Sequence, residues 1–518
     1  MAVGGGATAQ DSARSPAPVF VGSEAETYLR YLQLLGDVPL HQWSVRGFTD
    51  IELSVLMRSD RSSPRPALRR PSTRTGIATL PMHATMLYNS RFPYGFNDGA
   101  RWAGRGLVAE VRGGITAKWG PLRVNFAPTA FWSENRSFPL MPVADSLSPF
   151  ADGLYPDQVD RPQRFGASAY ARLDPGQSGV RVEGLGAVAG FSWENRWWGP
   201  MASFPYILGN NAAGFPHLFL GSASPRAVGV GRISATVLYG QLQQTPYSSV
   251  QTGDGRRFAS GMVFAFEPRW FPGLEVGFAR FFHVQWPDSG LVSGHFTHLF
   301  EGLLKSRLGR VLNPVGPAAE LSSADNQLGS VFARWVLPRS GAEVYAEFGR
   351  EDHNWNTRDL IVEPDHTAAI GLGVQKAWRR AHGLRAVRFE SLNHQVSTLQ
   401  RHRGQGGAYR HTFTRQGHTQ RGELLGAATA VGGGAAASVA YESWTEGRHQ
   451  ELSWSRFVVL DPDFGGQSVR QVLSVRRTVP HSAGILTLGI AVAVDLNRNL
   501  GNSDVSNLRF EAGWTHFK

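Results

Sequence analysis

Three stretches of this 518-residue chain combine aromatic rings, amides and guanidinium groups at close spacing. The first runs from Tyr88 to Gly106 and contains Tyr94, Asn97, Asp98, Trp102 and Arg105. The second is Glu194-Asn195-Arg196-Trp197-Trp198-Gly199-Pro200, followed by Asn210-Asn211. The third is Arg415-Gln416-Gly417-His418-Thr419-Gln420-Arg421-Gly422. A sugar needs that mixture: a ring stacks on its C–H face, and planar polar groups donate to and accept from its hydroxyls. The same residues also admit a plainer reading. Asn97-Asp98-Gly99 is a turn sequence, and Trp197 and Trp198 could be membrane-girdle aromatics or loop packing.

Other chemistry has weak support. There is no Gly-x-Ser-x-Gly elbow and no Gly-x-x-x-x-Gly-Lys phosphate loop. Gly229-x-Gly231 and Gly371-x-Gly373 lack the third glycine of a dinucleotide fingerprint. His295 and His298 have metal-ligand spacing without an evident third ligand, and Asp461-Pro-Asp463-Phe-Gly465-Gly466 reads as a turn. With Cys 0 there is no disulfide or thiolate site. The expectation is a protein without catalytic residues, metal or cofactor.

The elements that must carry the three stretches are strands. In residues 483–497, Leu486, Leu488, Ile490, Val492 and Val494 share one face, and Thr487, Gly489, Ala491, Ala493 and Asp495 share the other. One face suits lipid; the other is small and polar. Such segments recur from about residue 76 to the end, the signature of a transmembrane β-barrel. Lipid demands that every backbone N–H and C=O be paired, and only a closed barrel achieves this with strands. The 60 glycines and 11% aromatics fit turns and interface girdles. No uncharged run is long and apolar enough for a membrane helix.

Connections alternate in length. Short ones are read at 119–122, Asp174-Pro175-Gly176, Pro225-Arg226, 268–273, 338–341, 380–383, 445–448 and 480–484. Long ones are read at 90–104, 134–163, 194–213, 243–256, 287–325, 352–366, 396–433, 460–467 and 497–504. In bacterial outer-membrane barrels the short turns are periplasmic and the long loops extracellular. Counting 396–433 as one loop gives 18 strands, which puts both chain ends on the periplasmic side. Arg280 breaks the apolar face of its strand, implying a bulge or an interface there.

The first residues differ. Residues 1–21 read as a disordered tail or the remnant of an export signal, with Ala7-Thr8-Ala9 resembling a cleavage site. Ser23-Glu24-Ala25-Glu26 and Thr49-Asp50-Ile51-Glu52 are capping boxes, so 22–58 is expected to be a helical hairpin in the periplasm, outside the barrel. Residues 59–75 form an Arg/Pro-rich linker before a barrel over 76–518. The net charge of +11 is concentrated: Arg58, Arg61, Arg65, Arg69, Arg70 and Arg74 lie near Asp60, and Arg401, Arg403, Arg410, Arg415 and Arg421 lie in a stretch without acids. Such clusters favour acidic partners, such as lipopolysaccharide phosphates or an acidic polysaccharide, over nucleic acid.

Pro93-Tyr94-Gly95, Asn97-Asp98-Gly99, Gly104-Arg105-Gly106, Trp197-Trp198-Gly199-Pro200 with Asn210-Asn211, and Gln416 to Gly422 occur in an order that resembles the Wzi-like capsule-assembly family of outer-membrane proteins. Where that family pattern reads Tyr-Thr-His, this chain has His418-Thr419-Gln420. The resemblance implies an 18-stranded barrel with a small periplasmic helical bundle. It further implies a lectin-like role in holding and organising capsular polysaccharide, with outer-membrane lipid, lipopolysaccharide and the barrel-assembly machinery as partners. The ligand-binding candidates are Tyr94, Asn97, Asp98, Trp102, Arg105, Glu194, Asn195, Trp197, Trp198, Asn210, Asn211, Arg415, His418 and Arg421. His402, His411 and His418 would add charge to an acidic-polymer site as pH falls toward 6. The rival reading is a solute-conducting porin on the same architecture.

Overall fold

A computed structural model describes residues 18–56, 76–300, 325–351, 357–362, 364, 367–394, 407–412, 414–427, 429, 431–460 and 466–516. The linker at 59–75, the tail up to residue 17, all of 395–406 with Arg401, His402 and Arg403, and 461–465 of the Asp461 turn lie outside them.

Eighteen antiparallel strands close into one barrel. They are β1 (Gly76–Asn89), β2 (Gly106–Trp119), β3 (Leu122–Phe126 and Thr129–Ser133), β4 (Tyr170–Asp174 and Gly179–Gly184), β5 (Ala187–Ser192) and β6 (His217–Ser222 and Arg226–Val228). Next come β7 (Gly231–Gln243), β8 (Arg256–Pro268), β9 (Leu274–Gln285), β10 (Asp325–Leu337), β11 (Ala342–Glu351) and β12 (Ala368–Arg380). The last six are β13 (Gly383–His394), β14 (Gly434–Thr445), β15 (Arg448–Leu460), β16 (Gln467–His481), β17 (Gly484–Leu496) and β18 (Val505–His516). Closure is made by β1, which pairs with both β2 and β18. Every strand therefore has two neighbours, as lipid requires.

The alternation works as the sequence predicts. On β17, Leu486, Leu488, Ile490 and Val492 face outward and are exposed, while Ala491, Ala493 and Asp495 are buried on the lumen side. On β11 the outward Val344 and Phe348 alternate with the buried Glu343, Tyr345, Glu347 and Glu351. Two turns differ from expectation. Asp174-Pro175-Gly176 and Pro225-Arg226 are breaks within β4 and β6, and the chain reverses at Leu185-Gly186 and Gly229-Val230. Leu185 and Gly186 both have positive φ (52° and 77°), as a tight hairpin demands, and a leucine hides that signal. Because each misread turn lies in the strand beside the true one, the strand count is unchanged.

The N-terminal segment has the expected helices in an unexpected place. Helix α1 (Glu24–Leu34) is capped by Ser23, whose Oγ accepts from Glu26 N at 3.2 Å. Helix α2 (Asp50–Leu56) has a reciprocal box: Glu52 N donates to Thr49 Oγ1 at 3.2 Å, and Thr49 N donates to Glu52 Oε2 at 2.9 Å. The segment is not outside the barrel. It fills the lumen at the short-turn rim. Arg30 donates to Glu343 at 2.7 Å, Tyr31 to Glu442 at 2.5 Å, and the Trp43 and Ser44 amides to Glu275 at 2.9 Å each. Those carboxylates project inward from β11, β14 and β9. Capping boxes predict a helix; they carry no information on what surrounds it.

Arg280 fits neither alternative: its strand is in unbroken register with both neighbours, and the side chain is buried under the chain itself. Its neighbours Phe278 and Phe282 share the outward face of β9, and a short helix, α3 (Ser293–Thr297), with the turn after it, lies over that face. Arg280 donates to Gln327 at 2.9 Å and to the Leu299 carbonyl at 3.2 Å, so its charge is covered by the chain itself.

Candidate functional site

At the long-loop rim the three sequence motifs fold inward and meet. Asn89, at the end of β1, organises the first. Its Nδ2 donates to the carbonyls of Tyr94, Ala103 and Gly104 at 3.1, 2.9 and 3.2 Å. Tyr94 is buried, and Asp98 is held by Arg101 and lies 3.7 Å from Arg509 of β18. Trp102 packs on Phe165 at 4.7 Å, and Arg105 donates to the carbonyls of Ser90, at 3.2 Å, and Ser137.

The second motif is tied to the first. Asn97 Nδ2 donates to Ser203 O at 3.0 Å, Asn210 Nδ2 to Asn97 O at 3.2 Å, and Gly99 N to Asn210 O at 2.8 Å. Gly99 has φ of 65°, and a Cβ there would crowd the Asn210 side-chain oxygen at 3.2 Å. Asn195 donates to the Gly209 and Ala212 carbonyls at 3.1 and 2.9 Å, Glu194 accepts from Asn125 at 3.0 Å, and Asn211 donates to Leu424 O at 3.0 Å. Trp197 and Trp198 are 1% and 0% exposed. They pair as a two-residue ladder with Arg46 and Val45 of the N-terminal segment, and the Arg46 guanidinium lies 4.2 Å from the Trp197 ring. Glu390 of β13 anchors the following turn by accepting from the amides of Ala202, Ser203 and Phe204 at 2.7, 2.7 and 2.6 Å.

The third motif seals the centre. Arg257 of β8 donates to the Gly417 and Thr419 carbonyls at 2.5 and 2.6 Å. His418 is fully buried, stacked near Tyr409 and His283, with Nε2 2.6 Å from Ile207 O. Burial pushes its pKa down to about 3, so it stays neutral at pH 6, contrary to the expected charging. His411 is buried as well. Arg421 pairs with Asp174 at 2.8 Å, whereas Arg415 is exposed. Arg410 lies over the Tyr155 ring at 4.0 Å.

Tyr94, Asn195, Trp197, Trp198 and His418 are thus parts of a packed plug and not the open loop surface expected of them. Asn97, Asp98, Trp102, Arg105, Glu194, Asn210, Asn211 and Arg421 are half-buried. The rim also holds aromatics that were not among the expected residues. Phe165 stacks on Tyr170 at 4.7 Å and meets Trp102 at 4.7 Å and Tyr247 at 5.9 Å, and Tyr247 meets Phe150 at 6.1 Å. Asn135, with φ of 51°, locks this cluster by donating to the carbonyls of Phe165, Gly166 and Ser168. Trp102, Phe150 and Tyr247 keep partly open faces there, and the same loop carries the exposed Arg136. These residues are scattered over 134–170 and 247, with no contiguous motif to mark them.

Among the described residues, Glu442, His449 and Glu451 lie close enough to hold a metal. Glu442 and His449 are already bonded to each other at 3.1 Å and to Tyr31 and Glu24, so they serve as the socket for α1.

Residues 93–450 match the family model described as "Capsule assembly protein Wzi". The chain belongs to the Wzi capsule-assembly family. Among solved structures it is similar to Wzi of Escherichia coli, titled an outer-membrane protein involved in group 1 capsule assembly and a carbohydrate-binding β-barrel. The identity is 15%, the coverage 96% of this chain and 99% of that one, and the TM-score 0.58. It is also similar to OccAB4 of Acinetobacter baumannii (10% identity, 86% and 98% coverage, TM-score 0.39) and to OpdK of Pseudomonas aeruginosa with vanillate (10%, 84% and 98%, 0.40). No curated protein matches the chain. The match takes in the first motif from Pro93 onward and the whole of the other two, and it identifies the chain as an outer-membrane barrel of capsule assembly.

Proposed function

We propose that this barrel binds surface polysaccharide at its long-loop rim and holds it there without catalysis. The rim is extracellular, the short turns and the helical segment are periplasmic, and lipopolysaccharide surrounds the outer half of the barrel. One observation carries this reading over the porin alternative: the loops and the N-terminal segment meet inside the lumen, where Trp198 pairs with Val45. A barrel whose cross-section is filled by its own buried tryptophans is built to present a surface, not to pass a solute.

The ligand surface is the half-open part of the rim: Trp102, Phe150 and Tyr247 as ring faces, with Asn97, Asn210, Arg105, Arg136 and Arg415 for hydroxyl and acidic groups. The buried Trp197, Trp198, Asn195 and His418 support that surface from beneath. One repeat unit binds weakly, and a polymer gains by rebinding neighbouring repeats. The carbohydrate-binding description of the Escherichia coli relative supports the same class of ligand. The test is a glycan array with purified barrel, paired with planar-bilayer conductance. Polysaccharide binding with a silent bilayer is the expected result. Steady conductance without glycan binding would refute the proposal.

A further inference from the structure

A small cavity lies where the N-terminal segment meets the loop that carries Trp197 and Trp198. The segment lines it with Arg46, Gly47 and Glu52, and the loop with Arg196 and Trp198. The wall of β4 to β7 closes it, with Arg181 as its charged member. About 20 Å³ of the cavity takes the centre of a water-sized sphere, which is room for one small species and not for a sugar.

The lining carries three guanidinium groups against one carboxylate. That carboxylate is engaged: Glu52 Oε2 accepts from Thr49 N at 2.9 Å, and Oε1 lies 3.3 Å from His41 Nε2. Arg181 is matched by Glu183 at 2.8 Å, Asp50 at 3.3 Å and Glu194 at 4.0 Å. Arg46 has Glu26 at 3.5 Å and the Met201 carbonyl. Arg196 makes no ion pair among the described residues. Its Nε donates to His217 at 3.1 Å, and its head lies 4.0 Å from the centre of the Phe219 ring. Arg46 and Arg196 are only 4% and 8% exposed, and burial lowers each guanidinium pKa to about 10, so both stay charged at neutral pH.

Three N–H donors of this lining have no partner among the described residues: Arg46 Nε, Arg196 Nη2 and Trp198 Nε1. Trp198 rests the far edge of its six-membered ring on Gly261, which turns Nε1 away from β8. Gly47, with φ of 132°, makes room for the Arg196 head, since a Cβ there would lie 2.6 Å from Nη1. Gln42 Oε1 is the one lining acceptor without a partner among the described residues. Unpaired buried donors are costly, most of all on a charged group. A water would donate to Gln42 and accept from some of the donors, but it would leave the charge of Arg196 unmet. A halide accepts from all three donors and supplies the missing charge.

We infer that this cavity binds one chloride ion, held by Arg46, Arg196 and Trp198, which ties the N-terminal segment to the tryptophan loop. The occupant follows from the size of the space, the buried cation without a counter-charge, and donors from both sides of the junction.

The experiment is crystallography of full-length barrel soaked in sodium bromide, with data collected at the bromine edge. It is paired with proteolysis within 18–56 in sodium chloride and in sodium gluconate at equal ionic strength. Wild type should show one anomalous peak in the cavity, beside Arg196. Chloride at about ten times its dissociation constant should slow cleavage about tenfold relative to gluconate. Arg196→Gln should lose the peak and be cleaved equally in both salts, and Arg196→Lys should recover part of the chloride effect. Ser234→Val fills the cavity from β7 and leaves every guanidinium in place, and it should lose the peak as well. It carries the test if Arg196→Gln does not show the gel shift of a closed barrel on heating. Water alone in the wild-type cavity, equal cleavage of wild type in the two salts, or a peak retained in either variant that forms the barrel would each overturn the inference.

Discussion

His418 and Trp198 set the properties of the plug at the scale of single residues. With a pKa of about 3 in the folded chain against about 6.5 when unfolded, His418 favours the folded state whenever it is neutral. That stabilisation is fully present above pH 6.5 and is lost as pH falls toward 3, because only the unfolded chain takes up the proton. Two other loop groups act in the opposite direction. Burial raises the carboxyl of Asp160 to about 6 and that of Glu423 to about 8, which favours folding as they protonate. The His418 contribution is therefore isolated by difference. Replacing it with Gln, which can still donate to Ile207 O, should flatten the fall in thermal stability between pH 6 and 4 by up to about 1.4 kcal/mol per pH unit. Identical pH slopes in the two proteins would show that the ring titrates in place. For Trp198, truncation to Ala empties a site bounded by Phe281 and Gly261. A loss of about 3–5 kcal/mol is expected. Because that loss falls on the plug and not on the hydrogen-bonded ladder, the heat-dependent gel shift should persist while planar bilayers begin to show channel openings. Loss of the gel shift itself would make Trp198 a determinant of barrel assembly.

The elements show what a sequence displays and what it conceals. Helices α1 and α2 are written into local chemistry: an Oγ three residues before an acid, then apolar residues at helical spacing. Their location is not local. It depends on Glu275, Glu343 and Glu442, which lie hundreds of residues away on three strands and read individually as ordinary polar lumen positions. The same holds for Glu390, whose three amide contacts fix the turn after Trp198. Alternation gave the barrel, since each strand reports its two faces within a dozen residues. Burial of the loop motifs was illegible because a tryptophan beside an asparagine has the same types and spacing whether it faces sugar or packs against a neighbouring loop. A test follows for the N-terminal element. Glu343 accepts from Arg30 at 2.7 Å and lies 2.6 Å from Arg334, so Glu343→Gln leaves two buried cations short of their counter-charge. Removing one partner of a buried pair costs about 3–5 kcal/mol. The expected outcome is faster proteolysis within 18–56, with the strands of the barrel still protected. An unchanged cleavage pattern would mean that the Tyr31, Trp43 and Asp50 contacts hold the segment without it.

At the scale of the whole molecule, the N-terminal segment and the long-loop motifs enter from opposite rims and join at the Val45–Trp198 pairing, so a change on one side is transmitted to the other. This links the lectin reading to a prediction that separates surface from support. Trp102 has a partly open face at the rim and donates to Asn135 at 3.4 Å, whereas Trp197 and Trp198 have none. If Trp102 stacks on sugar, its replacement by Ala should remove about 1–3 kcal/mol of binding per site, by analogy with other aromatic platforms, without opening a channel. A polymer engages several sites in succession, so retention of polysaccharide on cells should fall more steeply than affinity for one repeat unit. Trp197→Ala with Trp198→Ala should lower retention only together with the appearance of conductance. The decisive measurement is therefore paired: cell-bound polysaccharide and bilayer conductance for both sets of variants. A Trp102 variant that keeps full retention, beside a tryptophan-pair variant that loses retention while the lumen stays silent, would place the sugar on the buried pair and overturn the proposed division between binding surface and plug.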